Sequence, residues 1–345
     1  VRHPIFAHVI ATVCPLLLLC FAATMGGLWI WLSLSYLIVF TFILDRSFKI
    51  SVPATSDNET LEDADRLSFF LGICHFLMLA LAVWVLTNTS FDLSQKVALF
   101  VSFGMFFGQI SNSNAHELIH RGDRHLFELG KWIYISLLFG HHTSAHRLIH
   151  HKYVATPDDP NSAAYGQSFY RFFPDAWIGS FTAALEAETQ RITQTKTKRI
   201  HPYIAYCLGG LLFACMAFFL GGAKGVAIFL GLAFYAQLQL MLSDYVQHYG
   251  LRRALLPNGQ YESVNERHSW DSPHWFSSLT MLNAPRHSGH HTTPSKAFPA
   301  LPVPNAAMSP LLPASLPVMG AIALSPRLWR KVMDHRVKHW HPDLK

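Results

Sequence analysis

The amino-acid sequence predicts an all-α, polytopic membrane protein of six transmembrane helices with a histidine-rich cap at one end. Three observations carry that prediction. The 345 residues are 51% hydrophobic and only 14% charged, against about a quarter charged in an average soluble chain. Several stretches reach the roughly 20 apolar residues needed to cross a hydrocarbon core. No stretch sustains the period of two expected of a strand, and no repeat at a fixed period stands out. The 27 basic residues outnumber 21 acidic ones on a strongly apolar background, which points to membrane surfaces and excludes a nucleic-acid-binding or disordered chain. Five cysteines, at 14, 20, 74, 207 and 215, lie in apolar runs without a Cys-x-x-Cys pair, so neither a disulfide framework nor a thiolate metal site is expected. The sequence opens at Val1, and the native N-terminus is expected to lie elsewhere.

The spans follow in order. Residues 5–24 form an apolar run, and 28–44 follow directly after Gly26-Gly27, so the two read as a helical hairpin with almost no loop. Residues 67–87 are a third span. The fourth, 97–115, is apolar to Ile110 and then continues through Ser111, Asn112, Ser113 and Asn114 into a histidine motif. Residues 203–221 and 225–243 complete the set. One integral-membrane domain over 1–345 results, with a cap built from 116–202 and 244–345. Of the 27 Lys and Arg, only Lys96 and Lys224 fall on the side away from the cap, leaving 25 with it. Such asymmetry marks a cytoplasmic face, and a bacterial inner membrane is the expected location.

Histidines were not used to draw this topology, yet it gathers the dense ones at the cap. His116 and His120 (HELIH) stand four apart on one helix face. His146, His150 and His151 (HRLIHH), His248 (DYVQHYG), and His287, His290 and His291 (HSGHH) join them. HELIH matches the zinc-peptidase pattern letter for letter, with Glu117 as its base. A catalytic zinc takes about three protein ligands, however, and nine clustered imidazoles suit two metals with four or five ligands each. Imidazole accepts zinc, copper, iron or nickel, and oxygen chemistry on an apolar substrate favours iron. The isolated His3, His8, His75, His125, His201, His335, His339 and His341 read as polar loop residues. His141, His142, His268 and His274 lie beside the motifs, either orienting ligands through hydrogen bonds or simply packing.

These motifs resemble those of the membrane-bound alkane 1-monooxygenases, within the histidine-rich membrane di-iron group that also holds fatty-acid desaturases and xylene monooxygenase. The resemblance rests on HELIH at 116–120, HH followed by VATPDDPNSA from His150 to Ala163, HYG at 248–250, HSW at 268–270, RHSGHH at 286–291 and MDHRV at 333–337. It implies two iron ions on the nine histidines, dioxygen as co-substrate, and hydroxylation of a terminal methyl group of an alkane or alkyl chain to a primary alcohol. The chain departs from the family pattern at Ala145 and Ile149, where Glu and Gly are usual, and in the motif Asp244, Tyr245, Val246, Gln247, His248, which usually carries Asn and Glu. Asp244 lies one helical turn from His248, as a carboxylate near the metals or as a solvated helix-end acid.

An apolar substrate entering from the bilayer would meet Phe103, Phe106, Phe107 and Ile110 on the fourth span and Phe234, Leu238 and Met241 on the sixth, residues that equally suit packing. Gly104 and Gly108 mark close helix approach. The sequence carries no flavin, nicotinamide or iron–sulfur motif, so electrons come from outside. The resemblance implies rubredoxin or ferredoxin with its reductase. Arg252, Arg253, Arg327, Arg330, Lys331, Arg336 and Lys338 suit an acidic donor and anionic headgroups alike. Hydroxylation of an aryl methyl group or desaturation of an acyl chain by the same site is the principal alternative. A histidine-relay transporter would place its ionisable groups at mid-span, which this sequence does not do.

Overall fold

A computed structural model describes residues 5–48, 50, 53–195 and 199–343. His3 lies outside them. Five helices are long and apolar enough to cross a membrane: Phe6–Met25, Leu28–Ser47, Asn58–Asn88, Leu93–Leu118 and Pro202–His248. The first two meet at Gly26 and Gly27, whose positive φ of 64° and 53° supplies the tight reversal that side chains with a Cβ resist.

Several helices outrun the apolar stretches that predict them, because caps rather than hydropathy set their ends. Asp57 accepts from the Thr60 backbone at 2.9 Å and starts the third helix nine residues before the apolar run at 67. Asp92 and Gln95 form a reciprocal capping box at the head of the fourth. That helix carries a π turn at Phe106–Ser111 before it reaches HELIH. Asp45, at the end of the second helix, instead caps a different element, accepting from the Phe276 and Ser277 backbones at 2.8 and 3.1 Å.

Pro202–His248 is not one straight rod. Gly221 and Gly222 leave helical geometry, with Gly222 at φ 59°. A Cβ on Gly225 would collide with the Ala217 carbonyl oxygen, although residues eight apart on a straight helix stand roughly 12 Å apart. The segment is therefore two helical arms folded back on one another. Its second arm packs against the fourth helix, where Tyr235 and Gln239 occupy the space a Cβ on Gly104 or Gly108 would need. Side-chain amides fasten this seam: Gln239 donates to the Gly104 carbonyl and Asn112 to the Ala236 carbonyl, both at 2.9 Å.

Phe103, Phe106, Phe107, Leu232, Ala236 and Met241 lie in the core. Phe42, Phe69, Leu77, Trp84, Leu208 and Phe219 form an exposed apolar exterior of the kind a bilayer covers. Five of the isolated histidines depart from the loop reading: His125, His335 and His339 lie exposed on helices, and two more are buried. His8 and His75 are buried within helices; His8 packs its ring on Phe298, and His75 meets the Ser136 hydroxyl at 2.7 Å. The cap also holds a helix the sequence reading did not single out, Phe169–Gln194. Its Glu188 accepts from Ser144 at 2.7 Å, and its Trp177 donates to Gln237 at 2.9 Å.

Because the colliding atom at Gly225 is backbone, Gly225→Val is expected to destabilise the hairpin by about 1–3 kcal/mol. Thermal unfolding in detergent should register a lower midpoint.

Candidate metal centre

Nine histidines converge in two groups whose potential ligand atoms lie within 4.8 Å of one another. His116, His120, His146, His151 and His290 form the first; His150, His248, His287 and His291 form the second. These are the nine residues singled out by their motifs. Their partition follows from helical geometry. His116 and His120, and likewise His287 and His291, are one α-turn apart and stay together. His146–His150 is a π turn, which brings i and i+5 rather than i and i+4 into register. His146 Nε2 accordingly lies 2.9 Å from His151 Nε2, and His150 is turned into the second group. Both double histidines, His150-His151 and His290-His291, thus give one imidazole to each group.

The arrangement fits a metal in each group. His290 Nε2 is 3.0 Å from His151 Nε2, His248 Nε2 is 2.9 Å from His287 Nε2, and His291 Nε2 is 3.1 Å from His287 Nε2. Two nitrogens bound at right angles about ~2.1 Å from a metal stand ~3.0 Å apart. The Nε2 atoms of His116, His120 and His150 are buried without a hydrogen-bond partner among the described residues, an expensive state unless something else binds them.

Outer contacts fix the rings. Asp159, fully buried, takes His150 Nδ1 at 2.8 Å and accepts from Ser162 at 2.7 Å, an arrangement that would leave Nε2 for a metal. His248 Nδ1 faces the His268 carbonyl at 3.4 Å, so His268 acts through its backbone while its own ring meets Glu262 at 3.2 Å. Asp271 accepts from the Ser288 backbone at 2.8 Å and holds the helix that begins at His287. Asp244 is buried and accepts from Asn161 at 2.7 Å; it is not a solvated helix-end acid. Sequence reasoning assigned no role to Asp159, Asn161 or Asp271. The first two sit inside the VATPDDPNSA run, where two acids beside a proline were the available signal.

Glu117 belongs to neither histidine group and is engaged elsewhere, unlike a zinc-peptidase base. It accepts from the Phe298 backbone at 3.0 Å and pairs with Arg121 at 3.0 Å.

Burial, reinforced by mutual repulsion, holds His120, His146, His151, His287, His290 and His291 well below the ordinary imidazole range. Neutral imidazole is the form that binds metal. Burial also pushes His150 down, but the Asp159 carboxylate together with Asp244 outweighs it and the net direction is up.

One cavity reaches both groups. His116 and His146 of the first and His287 of the second line it, with an apolar wall of Gly108, Leu240, Met281 and Leu316. Asn112, Ser113, Tyr134, His142, Asp244 and Gln247 also line it. The residues expected to meet an apolar substrate do not line this cavity. Phe103, Phe106, Phe107, Ile110 and Met241 are buried in the helix seam, Leu238 packs against that core, and Phe234 is 49% exposed on the outside. The π turn at Phe106–Ser111 shifts which face of the fourth helix meets the cavity, so Gly108, Asn112 and Ser113 line it instead.

Two predictions follow from this geometry. Asp159→Asn should weaken metal affinity roughly 10- to 100-fold, read by chelator competition. In metal-free protein, the depressed histidines take up protons on unfolding once the pH falls below their ordinary 6.5. Stability should therefore drop with acidification, by about 1.4 kcal/mol per pH unit for each such group, and chemical denaturation between pH 7.5 and 5.5 measures it.

The fatty acid desaturase family matches residues 94–323, which takes in every histidine of both groups. Alkane 1-monooxygenase 2 of Alcanivorax borkumensis is 33% identical over 79% of this chain and 71% of its own length. Alkane 1-monooxygenase 2 of Pseudomonas aeruginosa is 32% identical over 76% of this chain and 71% of its own. The xylene/toluene monooxygenase hydroxylase component XylM of Pseudomonas putida is 26% identical over 88% and 81%. Shared sequence over most of the chain and a membrane bundle that gathers metal-competent histidines agree: this integral membrane oxygenase belongs to the alkane 1-monooxygenase family, within the wider fatty acid desaturase family.

Proposed function

We propose that the chain is one integral-membrane domain crossing the bilayer six times, with Gly221-Gly222 as the turn between the last two crossings and the metal centre on the cytoplasmic side of a bacterial inner membrane. The basic asymmetry of the loops supports the orientation. The nine histidines bind two irons, one in each group, and the enzyme hydroxylates a terminal C–H bond of an alkane or alkyl chain to the primary alcohol. The observation that carries this reading is a single cavity touching ligands of both groups.

Bound iron supplies dioxygen activation. One oxygen atom enters the C–H bond and the other leaves as water, with two electrons and two protons consumed. The chain's residues do the rest. Imidazoles kept neutral by burial offer their Nε2 atoms, Asp159 fixes the tautomer of His150, and the apolar wall at Leu240, Met281 and Leu316 excludes water and aims the chain end. Electrons arrive from an external rubredoxin or ferredoxin with its reductase. Arg327, Arg330, Lys331, Arg336 and Lys338 share the helix Pro326–Trp340 and offer an acidic donor its docking face. Arg252 and Arg253 contribute less, since Arg252 pairs with Asp343 and Arg253 donates to the Lys152 and Glu262 carbonyls.

Purified wild-type protein should carry about two irons per chain and convert medium-chain alkanes to 1-alkanols with a surrogate rubredoxin system. His150→Ala and His290→Ala, one from each group, should each lower iron content and abolish product, whereas His335→Ala should do neither. An alkene product would transfer the reading to desaturation, and full activity without His150 or His290 would refute the ligand assignment.

A further inference from the structure

His248 ends a helix, and the chain turns just past it. Pro202–His248 is followed by Tyr249, whose ψ of 117° leaves helical geometry, and by Gly250 at φ 71°. The last carbonyls of a helix lack onward backbone partners, so other elements must hold this end. The Trp270 backbone donates to the Gln247 carbonyl at 2.7 Å, and its indole donates to the Tyr249 carbonyl at 2.9 Å. Gly250 donates to the Ala163 carbonyl at 2.8 Å. The His248 ring itself is held less firmly. Its Nδ1 is 3.4 Å from the His268 carbonyl, at the long end of hydrogen bonding, whereas His150 meets the Asp159 carboxylate at 2.8 Å. The aim of His248 therefore depends on the backbone that carries it.

The helix Pro326–Trp340 grips that backbone through its inward side chains. Asp334 accepts from the Tyr249 hydroxyl at 2.8 Å, and the same hydroxyl accepts from the Gly166 backbone at 3.0 Å. Trp329, fully buried, sets its ring 5.2 Å from those of Tyr245 and Tyr249. Val337 fills the space a Cβ on Gly250 would need, within 2.7 Å of it. Asp334 and Val337 belong to the MDHRV run at 333–337 and Trp270 to HSW at 268–270. Neither run contributes to either histidine group, yet both close on the residue that follows His248.

We propose that Asp334 is a positioning residue for the second metal group: it holds the Tyr249 hydroxyl and, through that side chain, fixes the backbone on which His248 presents its Nε2. The proposal rests on the reading of one metal per group and goes beyond it, because it gives the C-terminal helix a part in retaining one metal and not the other. A hydroxyl bonded to a carboxylate is a strong, directional tie. The first group contains no residue of this turn: its ligands are His116, His120, His146, His151 and His290.

Cobalt(II) titration of the metal-free full chain in detergent, against a competing chelator, tests this without turnover, with the visible spectrum following each site. Wild type should bind two ions per chain. Asp159→Asn, which loosens His150, identifies the step that belongs to the second group. In Asp334→Ala and in Tyr249→Phe that step is expected to weaken about tenfold, the lower end of what losing an outer partner of a ligand costs, while the other step keeps its wild-type affinity. Asp334→Asn retains an oxygen that accepts from Tyr249 and should recover most of the loss. Weakening of both steps equally, weakening of the other step alone, no weakening at all, or a loss in Asp334→Asn as large as in Asp334→Ala overturns the proposal. Failure of the two-metal reading shows itself separately, as wild type binding fewer than two ions.

Discussion

The structure depends on burying nine imidazoles at one place. Each loses hydration, and most press against like neighbours, so the cluster is unfavourable by itself and becomes favourable when metal occupies the Nε2 positions. The surrounding architecture serves that convergence. The long fourth helix carries His116 and His120 out of the apolar bundle, the folded-back arm ending at His248 brings the first ligand of the second group, and the cap closes over both with His287, His290 and His291. Binding energy from metals held there would in this sense be folding energy for the cap.

Local geometry then decides which ligand goes where. Adjacent imidazoles on a helix point about 100° apart, which is why the double histidines at 150–151 and 290–291 split between the groups. Single turns of π geometry, at Phe106–Ser111 and His146–His150, reset the helix face just before and within the ligand runs. Carboxylates enter one layer out: Asp159 on a ligand ring, Asp271 on the helix that carries three ligands, and Asp244 across the cavity. None belongs to either ligand group, so both are built from imidazole alone among the described residues.

Much of this was legible in the sequence. Apolar runs located the membrane helices because hydropathy over 20 residues is a strong signal, and the histidine motifs named all nine converging residues because spacing of four survives on any helix face. Their division into five and four was not legible, since an α-helical reading keeps His146 with His150 and only a π turn reverses it. The lining of the cavity was not legible either: Phe103, Phe107 and Ile110 are buried in the core, and Gly108, Asn112 and Ser113, within and after the π turn, line the cavity. Asp159 gave no periodic signal: its role comes from a loop that folds back nine residues onto His150. His75 was misjudged because a lone histidine in an apolar run carries no mark of the Ser136 hydroxyl that satisfies it.

The central claim is that each histidine group holds its own metal. Diffraction from the purified protein at wavelengths on either side of the iron absorption edge tests it most directly. The account requires two anomalous peaks per chain, one among His116, His120, His146, His151 and His290 and the other among His150, His248, His287 and His291. A single peak shared by the two groups, or a peak at zinc's edge and none at iron's, would contradict it.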